Sequence, residues 1–386
     1  MFHKILMVVA LLLTASAPTI FASDAAPDAT GLLQNGDFQH LEHYFSGVQN
    51  RFREGHASAE ELRNAFRAFY PTDRSLAPKY DAWVSKYPDS YVARVARGIY
   101  YKKIGYEERG GGYISETGAM QIAKMDDAMQ KAISDFGASI KMDPKPFLSY
   151  FHMIDITRSY SGIAYTKKMY DQAIRLAPTF VDVRRKYMQA LEDKWGGSLE
   201  QMREFLNECK LGALPQSQLN ALESMVYENA ASELEQGGDH AGSESAYRKA
   251  IQLGGTDCDS CLALSLSNVL VEENKIAEAI PFLNRYIEDH ATDTSNLEWR
   301  ASLYLRIRMV PEAVADLTKA ANAGEAAAQN QLGVLYMTGV PGFMTPDYGK
   351  GVERLRQAAA QNNVQAKYNL PSAERLLAAQ SAAKSK

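Results

Sequence analysis

Tyr247, Leu283, Leu317 and Leu355 sit at equivalent places in four amphipathic segments, at steps of 36, 34 and 38 residues. Glu278-Ala279 and Glu312-Ala313 repeat at 34. A period in this range belongs to chains in which one antiparallel helix pair is the structural unit. A single pair cannot bury its apolar stripe, so it must stack on a neighbour. The repeat therefore predicts an all-α solenoid.

The unit is clearest in GEAAAQNQLGVLYMTGVPGFMTPDYGKGVERLRQAAA, residues 324–359. Leu332, Leu335 and Tyr336 mark the apolar face of a first helix; Val352, Leu355, Ala358 and Ala359 mark that of a second. Gly333 has no side chain where the two must approach most closely, and Ala358 is small on the facing helix. Ala366 and Leu370 restart the first helix 38 residues after Ala328 and Leu332, with Pro371 in place of the glycine. Pro371 predicts an end or kink there, and a separate capping helix on Leu376 and Leu377 follows.

The first 22 residues stand apart. Lys4 precedes an apolar run, Ile5 to Leu13, that is too short to span a bilayer. Ala22 is a plausible cleavage position, so this segment reads as a secretory signal peptide. No cysteine follows it and no second segment approaches membrane length. The expected address is the periplasm or beyond, with no stable membrane insertion. The formal charge of −4 and a pI near 6.0 give no nucleic-acid footprint.

Between the leader and the regular repeats, helix alternates with short breaks. Phe38, Leu41, Phe45, Val48 and Phe52 mark one helix face closed by Gly55; Leu62, Phe66 and Phe69 mark another, stopped by Pro71. A helix on Val92, Val95, Ile99 and Tyr100 runs into YEERGGGYISETG, and the helical pattern resumes at Met120. Arg109, the amides of Gly110–Gly112 and Tyr113 could form a ligand-contacting loop; an inter-helix turn is the alternative. No strand precedes these glycines, so they are not a phosphate-binding loop. Trp195, ahead of two glycines, either packs its turn or serves as a binding hot spot. Ser198 is placed to cap the next helix.

Little catalytic chemistry is present. Cys258 and Cys261 flank a helix start and, in an exported chain, are expected to form a disulfide; reduced thiols, a redox pair and zinc are the alternatives. Cys209 is left unpaired and expected to be buried. His40 and His43, with Glu42 between them, could form a metal face but read as amphipathic surface. His152 and Asp155 share a helix face near Tyr150 and Arg158, a polar patch on a groove. No catalytic triad, HExxH or paired-carboxylate cleft is identifiable, and no cofactor or metal is implied.

Two family resemblances follow from these segments. Residues 324–359 resemble a Sel-one-like repeat, a tetratricopeptide relative, through Ala328, Gln329, Leu332, Gly333, Leu335, Tyr336, Gly339, Asp347, Ala358 and Ala359. Gly351 departs, standing where alanine is usual. Residues 36–290 resemble a bacterial family of exported helical-repeat proteins of unknown function, through NGDFQHLEHYFSGVQNRFREG, the aromatic-rich stretch leading into ERGGG, and WGGSLEQMREF. The first resemblance implies a tetratricopeptide-like superhelix used for protein–protein scaffolding and not for catalysis.

The expected organisation is a signal peptide (1–22), a flexible leader (23–35), an irregular helical-repeat domain (36–215), regular repeats (216–380) and a disordered tail (381–386). The expected function is an exported, non-enzymatic scaffold that grips a protein or peptide against its first helices, at Leu264, Asn268 and Val271 in the unit 260–291. An immunity protein capping a secreted toxin is one version. A cell-wall ligand-binding protein or enzyme using the Arg109–Gly112 loop and Trp195 is the competing class.

Overall fold

The computed structural model describes residues 26–110, 117–212, 214–254 and 258–384. The signal peptide, Gly111 to Tyr113 of the glycine loop and the last two residues lie outside the described residues. Contacts divide the chain into two units, one up to Val183 and one from Arg184. The break falls inside a helix and not at residue 215, where the repeat spacing becomes regular. Among the described residues every element is helical, apart from an isolated bridge between Val340 and Met344.

The first unit opens with α1 (Ala29–Asn35), α2 (Phe38–Glu54), α3 (Ala59–Phe66) and α4 (Ala77–Lys86). The segment expected to be a flexible leader is thus helical from Ala29. Asp28 accepts the Gly31 amide at 3.0 Å, Gly36 ends the helix at φ 71°, and Leu33 is 1% exposed. Docking Leu33 gives so short a helix the stability it lacks alone. The periodic face of α2 is buried as expected, with Phe45 ringed by Phe66 at 5.1 Å and Phe69 at 4.6 Å.

Next come α5 (Tyr91–Arg109) with α6 (Ala119–Ser139), and α7 (Phe147–Tyr160) with α8 (Ile163–Leu176). A Cβ at Gly98 of α5 would lie 2.9 Å from the Phe136 ring of α6, so the pair closes to a distance only glycine permits. Arg97 clamps Asp135 with two bonds of 2.7 and 2.8 Å, and Asp135 is 1% exposed. The start of α5 is built from two directions. Ser90 Oγ accepts the Ala93 amide and donates to Glu42 of α2, which also accepts from Trp83 Nε1 of α4 at 2.7 Å. Burial raises the Glu42 carboxyl above its ordinary value against the lowering effect of those two bonds.

α9 (Val181–Ala190) leads to α10 (Leu199–Leu211). The chain continues through α11 (Gln216–Gln236), α12 (His240–Leu253), α13 (Asp259–Glu272), α14 (Ile276–Asp289), α15 (Ser295–Arg306), α16 (Val310–Asn322), α17 (Ala326–Thr338), α18 (Tyr348–Ala360) and α19 (Val364–Lys384). Each odd-numbered helix from α11 to α17 pairs with its successor, and each pair packs on the next. This is a repeat of antiparallel helix pairs, each stacked on its neighbour. Tyr247, Leu283, Leu317 and Leu355 are 4%, 0%, 0% and 1% exposed, so the register read from the sequence is the register of the core.

In the last pair, a Cβ on Gly333 would sit 2.9 Å from Leu355 Cγ, and one on Gly351 would sit 2.5 Å from Met337 Sδ. The two glycines also face each other. A Cβ on Gly333 would lie 3.2 Å from the Gly351 carbonyl oxygen, and one on Gly351 would lie 3.1 Å from that of Gly333. Gly351, the departure from the repeat pattern, is therefore a second point of close approach. Pro371 does not end its unit: α19 continues through it. Ala366 and Ala373 are buried on either side, and Leu370 and Leu377 pack with them, holding the helix across the missing hydrogen bond. The helix also runs to Lys384, beyond the expected start of a tail at 381.

Leu355→Ala should cost about 2–5 kcal/mol, and Gly333→Ala about 1–3 kcal/mol through overpacking. Because Leu355 Cγ is the nearest atom to the new methyl, the double variant should be less destabilised than the sum. Urea unfolding of all four proteins checks this; strict additivity would show that the glycine does not set the helix spacing.

Candidate functional site

Lys102, Tyr106 and Arg109 follow one another at steps of four and three along α5, so they share a face. Lys102 is only 4% exposed. Its ammonium donates to Asp155 Oδ2 at 2.6 Å and to His152 Nδ1 at 3.0 Å, both on α7. An ammonium has no acceptor to offer, so Nδ1 accepts and the ring proton belongs on Nε2. The imidazole lies flat against Phe136 at 5.5 Å and edge-on to Phe151 at 5.4 Å. Tyr106 completes the face; burial drives its hydroxyl well above the ordinary phenol range.

Two of the residues indicated by the sequence, His152 and Arg109, thus lie along a single polar face of the first unit. His152 is buried there as a packed acceptor. Gly110 is the exposed residue that ends α5, at φ 71°. Tyr113 lies outside the described residues. Lys102 is not among the sequence candidates, although its spacing from Tyr106 and Arg109 is visible there. Its salt bridge crosses 53 residues, and no local pattern records such a pairing.

The other candidates lie in the second unit. Trp195 is half-buried at the end of a tight turn between α9 and α10. Gly196 takes φ 84°, and a Cβ on Gly197 would strike the Leu191 carbonyl. Ser198 caps α10 by accepting the Gln201 amide at 3.2 Å. On α13, Leu264 and Val271 are partly buried against the core of α14 to α17, which leaves Asn268 as the exposed member of the three. One repeat of 34 residues further on, the position of Leu264 is taken by Glu298 of α15, whose carboxyl burial pushes up. A separate cleft of about 740 Å³ opens around α12, lined by Tyr227, Arg248, Lys249, Ile251, Leu266 and Phe282.

The sulfur atoms of Cys258 and Cys261 are joined at the start of α13, with 5.1 Å between their Cα atoms. Cys258 is also the cap residue, its Sγ accepting the Cys261 amide at 3.1 Å. Cys209 is buried in α10, and burial pushes its thiol up. On α2, Glu42 bonds Trp83 and Ser90 while His40 pairs with Asp37, so these two residues serve different partners. Among the described residues, no group of three or more histidines, cysteines and acids could hold a metal ion, and no helix is long and apolar enough to cross a membrane.

No protein family matches the chain, the N-terminal region included, and no curated protein matches it. Among solved structures it is similar to YrrB, a tetratricopeptide protein with an unusual peptide-binding site. There the identity is 16%, the match covers 60% of this chain and 96% of that one, and the TM-score is 0.32. It is also similar to c5321, a protective antigen of uropathogenic Escherichia coli with an SLR fold, at 16% identity over 89% and 74% of the two chains and a TM-score of 0.38. A third similarity is to the APC/C hetero-tetramer Cut9–Hcn1, at 14% identity over 90% and 56%, with a TM-score of 0.38.

Denaturing, non-reducing thiol labelling of protein from an oxidising compartment should modify one cysteine, Cys209. In the native state that labelling should be slow, because the thiol is buried and its thiolate disfavoured. Three modified thiols would show that the Cys258–Cys261 bond does not form.

Proposed function

We propose that the chain is an exported, non-enzymatic scaffold that binds a protein or peptide along the first helices of its second unit. Asn268 carries this reading. It is the exposed residue of a row whose neighbours, Leu264 and Val271, are committed to packing between repeats. A side-chain amide can donate and accept, which suits it to the backbone of an extended ligand. Glu298, one repeat on from Leu264, adds an acid to the same row. Stacked pairs extend such a row without new chemistry, so affinity grows with the length of ligand engaged. A toxin-capping role is one form that this binding could take.

Full-length mature protein with Asn268→Arg should capture its partner from periplasmic extract at least about tenfold less well than wild type, the weight of a bond or two in the contact. Lys249→Ala, in the cleft around α12, should leave capture unchanged. Equal capture by the Asn268 variant would move the binding surface elsewhere. Export is checked separately: the mature chain should begin at Ser23, and N-terminal sequencing that finds Met1 on exported protein would contradict the signal peptide.

A further inference from the structure

Around α3, the turn after it and α5, the first unit gathers several positive charges. Arg63 of α3, Arg67 and Tyr70 from the turn that follows, and Lys102 and Lys103 of α5 lie together with Asp155 and Asp182. Both acids are already engaged, Asp155 by Lys102 at 2.6 Å and Asp182 by Arg63 at 3.3 Å. Arg67 and Lys103 have no carboxylate partner among the described residues. Both instead lean on one ring: Lys103 Nζ lies 4.2 Å from the Tyr70 centroid and Arg67 Cζ lies 5.9 Å from it. Burial, then Lys102, then Arg67 and Arg63, hold the Lys103 ammonium below its ordinary value; only Asp155 opposes them. Burial raises the Tyr70 hydroxyl above its ordinary value, against the lowering influence of Arg63 and Arg67.

We propose that Arg67, Lys103 and Tyr70 form a site for a phosphate group. Arg67 and Lys103, the two cations without a carboxylate, together match the charge of a phosphate dianion. A single carboxylate would leave one cation uncompensated. The residue types suit the ligand: the arginine fork takes two oxygens in plane, and the lysine acts as a point charge on a third. Lys102, pinned by Asp155 and His152, holds the adjoining turn of α5 in place and adds to the local field. Inorganic phosphate and a phosphate monoester share this chemistry. The site does not depend on the protein-binding surface proposed for the second unit.

The probe is inorganic phosphate, titrated calorimetrically at low salt into full-length mature protein. Saturable one-to-one binding is expected. Arg67→Gln or Lys103→Gln should each weaken it by about tenfold, the size of one charge-assisted bond, while Lys103→Arg should retain most of it. Lys131→Gln, which removes a lysine paired with Asp127 on α6, should change nothing. A second readout does not depend on binding. Without phosphate, Lys103→Gln should melt no lower than wild type, because it removes a repelling charge; added phosphate should raise the melting temperature of wild type and of Lys131→Gln more than that of Lys103→Gln. Phenyl phosphate binding more tightly than phosphate would assign an ester as the ligand, and equal binding would assign the free ion. Absence of saturable phosphate binding, equal binding by both glutamine variants, or equally strong binding of acetate would each overturn the proposal.

Discussion

The structure depends on how closely two helices of a pair can approach. At Gly98 against Phe136 and at Gly333 against Leu355, a methyl group would already collide. Removing the side chain at these points lets the large residues on either side interlock, and the interlocking buries the apolar stripe. A glycine in a helix costs about 1 kcal/mol relative to alanine. The cost is offset only because each such residue sits where the partner helix is nearest. Packing of pair on pair then follows, since every closed pair still exposes an apolar edge that only another pair can cover.

Close approach fixes spacing but not which helices become partners. In both units that choice has a polar component. Arg97 clamps Asp135 across α5 and α6, and Arg300 clamps Asp316 across α15 and α16 with two bonds of 2.7 Å while also bonding Asn284 of α14 at 2.8 Å. Each acid is nearly inaccessible to water. Moving such charges out of water offsets much of their attraction, so the net stability of these pairs is small. Their geometric demand is large, however: a bidentate pair has one arrangement, and a slipped or exchanged helix would leave a buried carboxylate alone.

Much of the fold was legible because it is periodic. The faces of α2 and α5 and the buried row Tyr247, Leu283, Leu317 and Leu355 are local patterns that helix geometry converts directly into burial. Gly351 shows where that reading ran short: in the sequence it is only a departure from the repeat pattern, whereas the reason lies on α17, in Met337 and the Gly333 carbonyl. Pro371 misled in the same way, because the packing of Ala366 and Ala373 outweighs one missing hydrogen bond. The polar face of the first unit was half visible. His152 and Arg109 stand out as residue types, but Lys102 becomes meaningful only once α5 and α7 are side by side. Arg67 and Lys103 stand 36 residues apart, and nothing in the sequence says that they share one tyrosine ring.

The cap of α5 has a further consequence. Helix starts are commonly closed by a residue within the same turn, and such a helix can fray and re-form alone. At Ser90 the hydroxyl that accepts the Ala93 amide has its own proton placed on Glu42, 48 residues earlier, and that carboxylate is shared with Trp83. Loosening the first turn of α5 therefore disturbs α2 and α4 together, and displacing α2 loosens the first turn of α5. In hydrogen-exchange terms, the amides at the start of α5 should open with the aromatic core around Phe45 and not with the helix end. That makes the N-terminal helices one cooperative foldon, while the pairs beyond them each answer mainly to their neighbours.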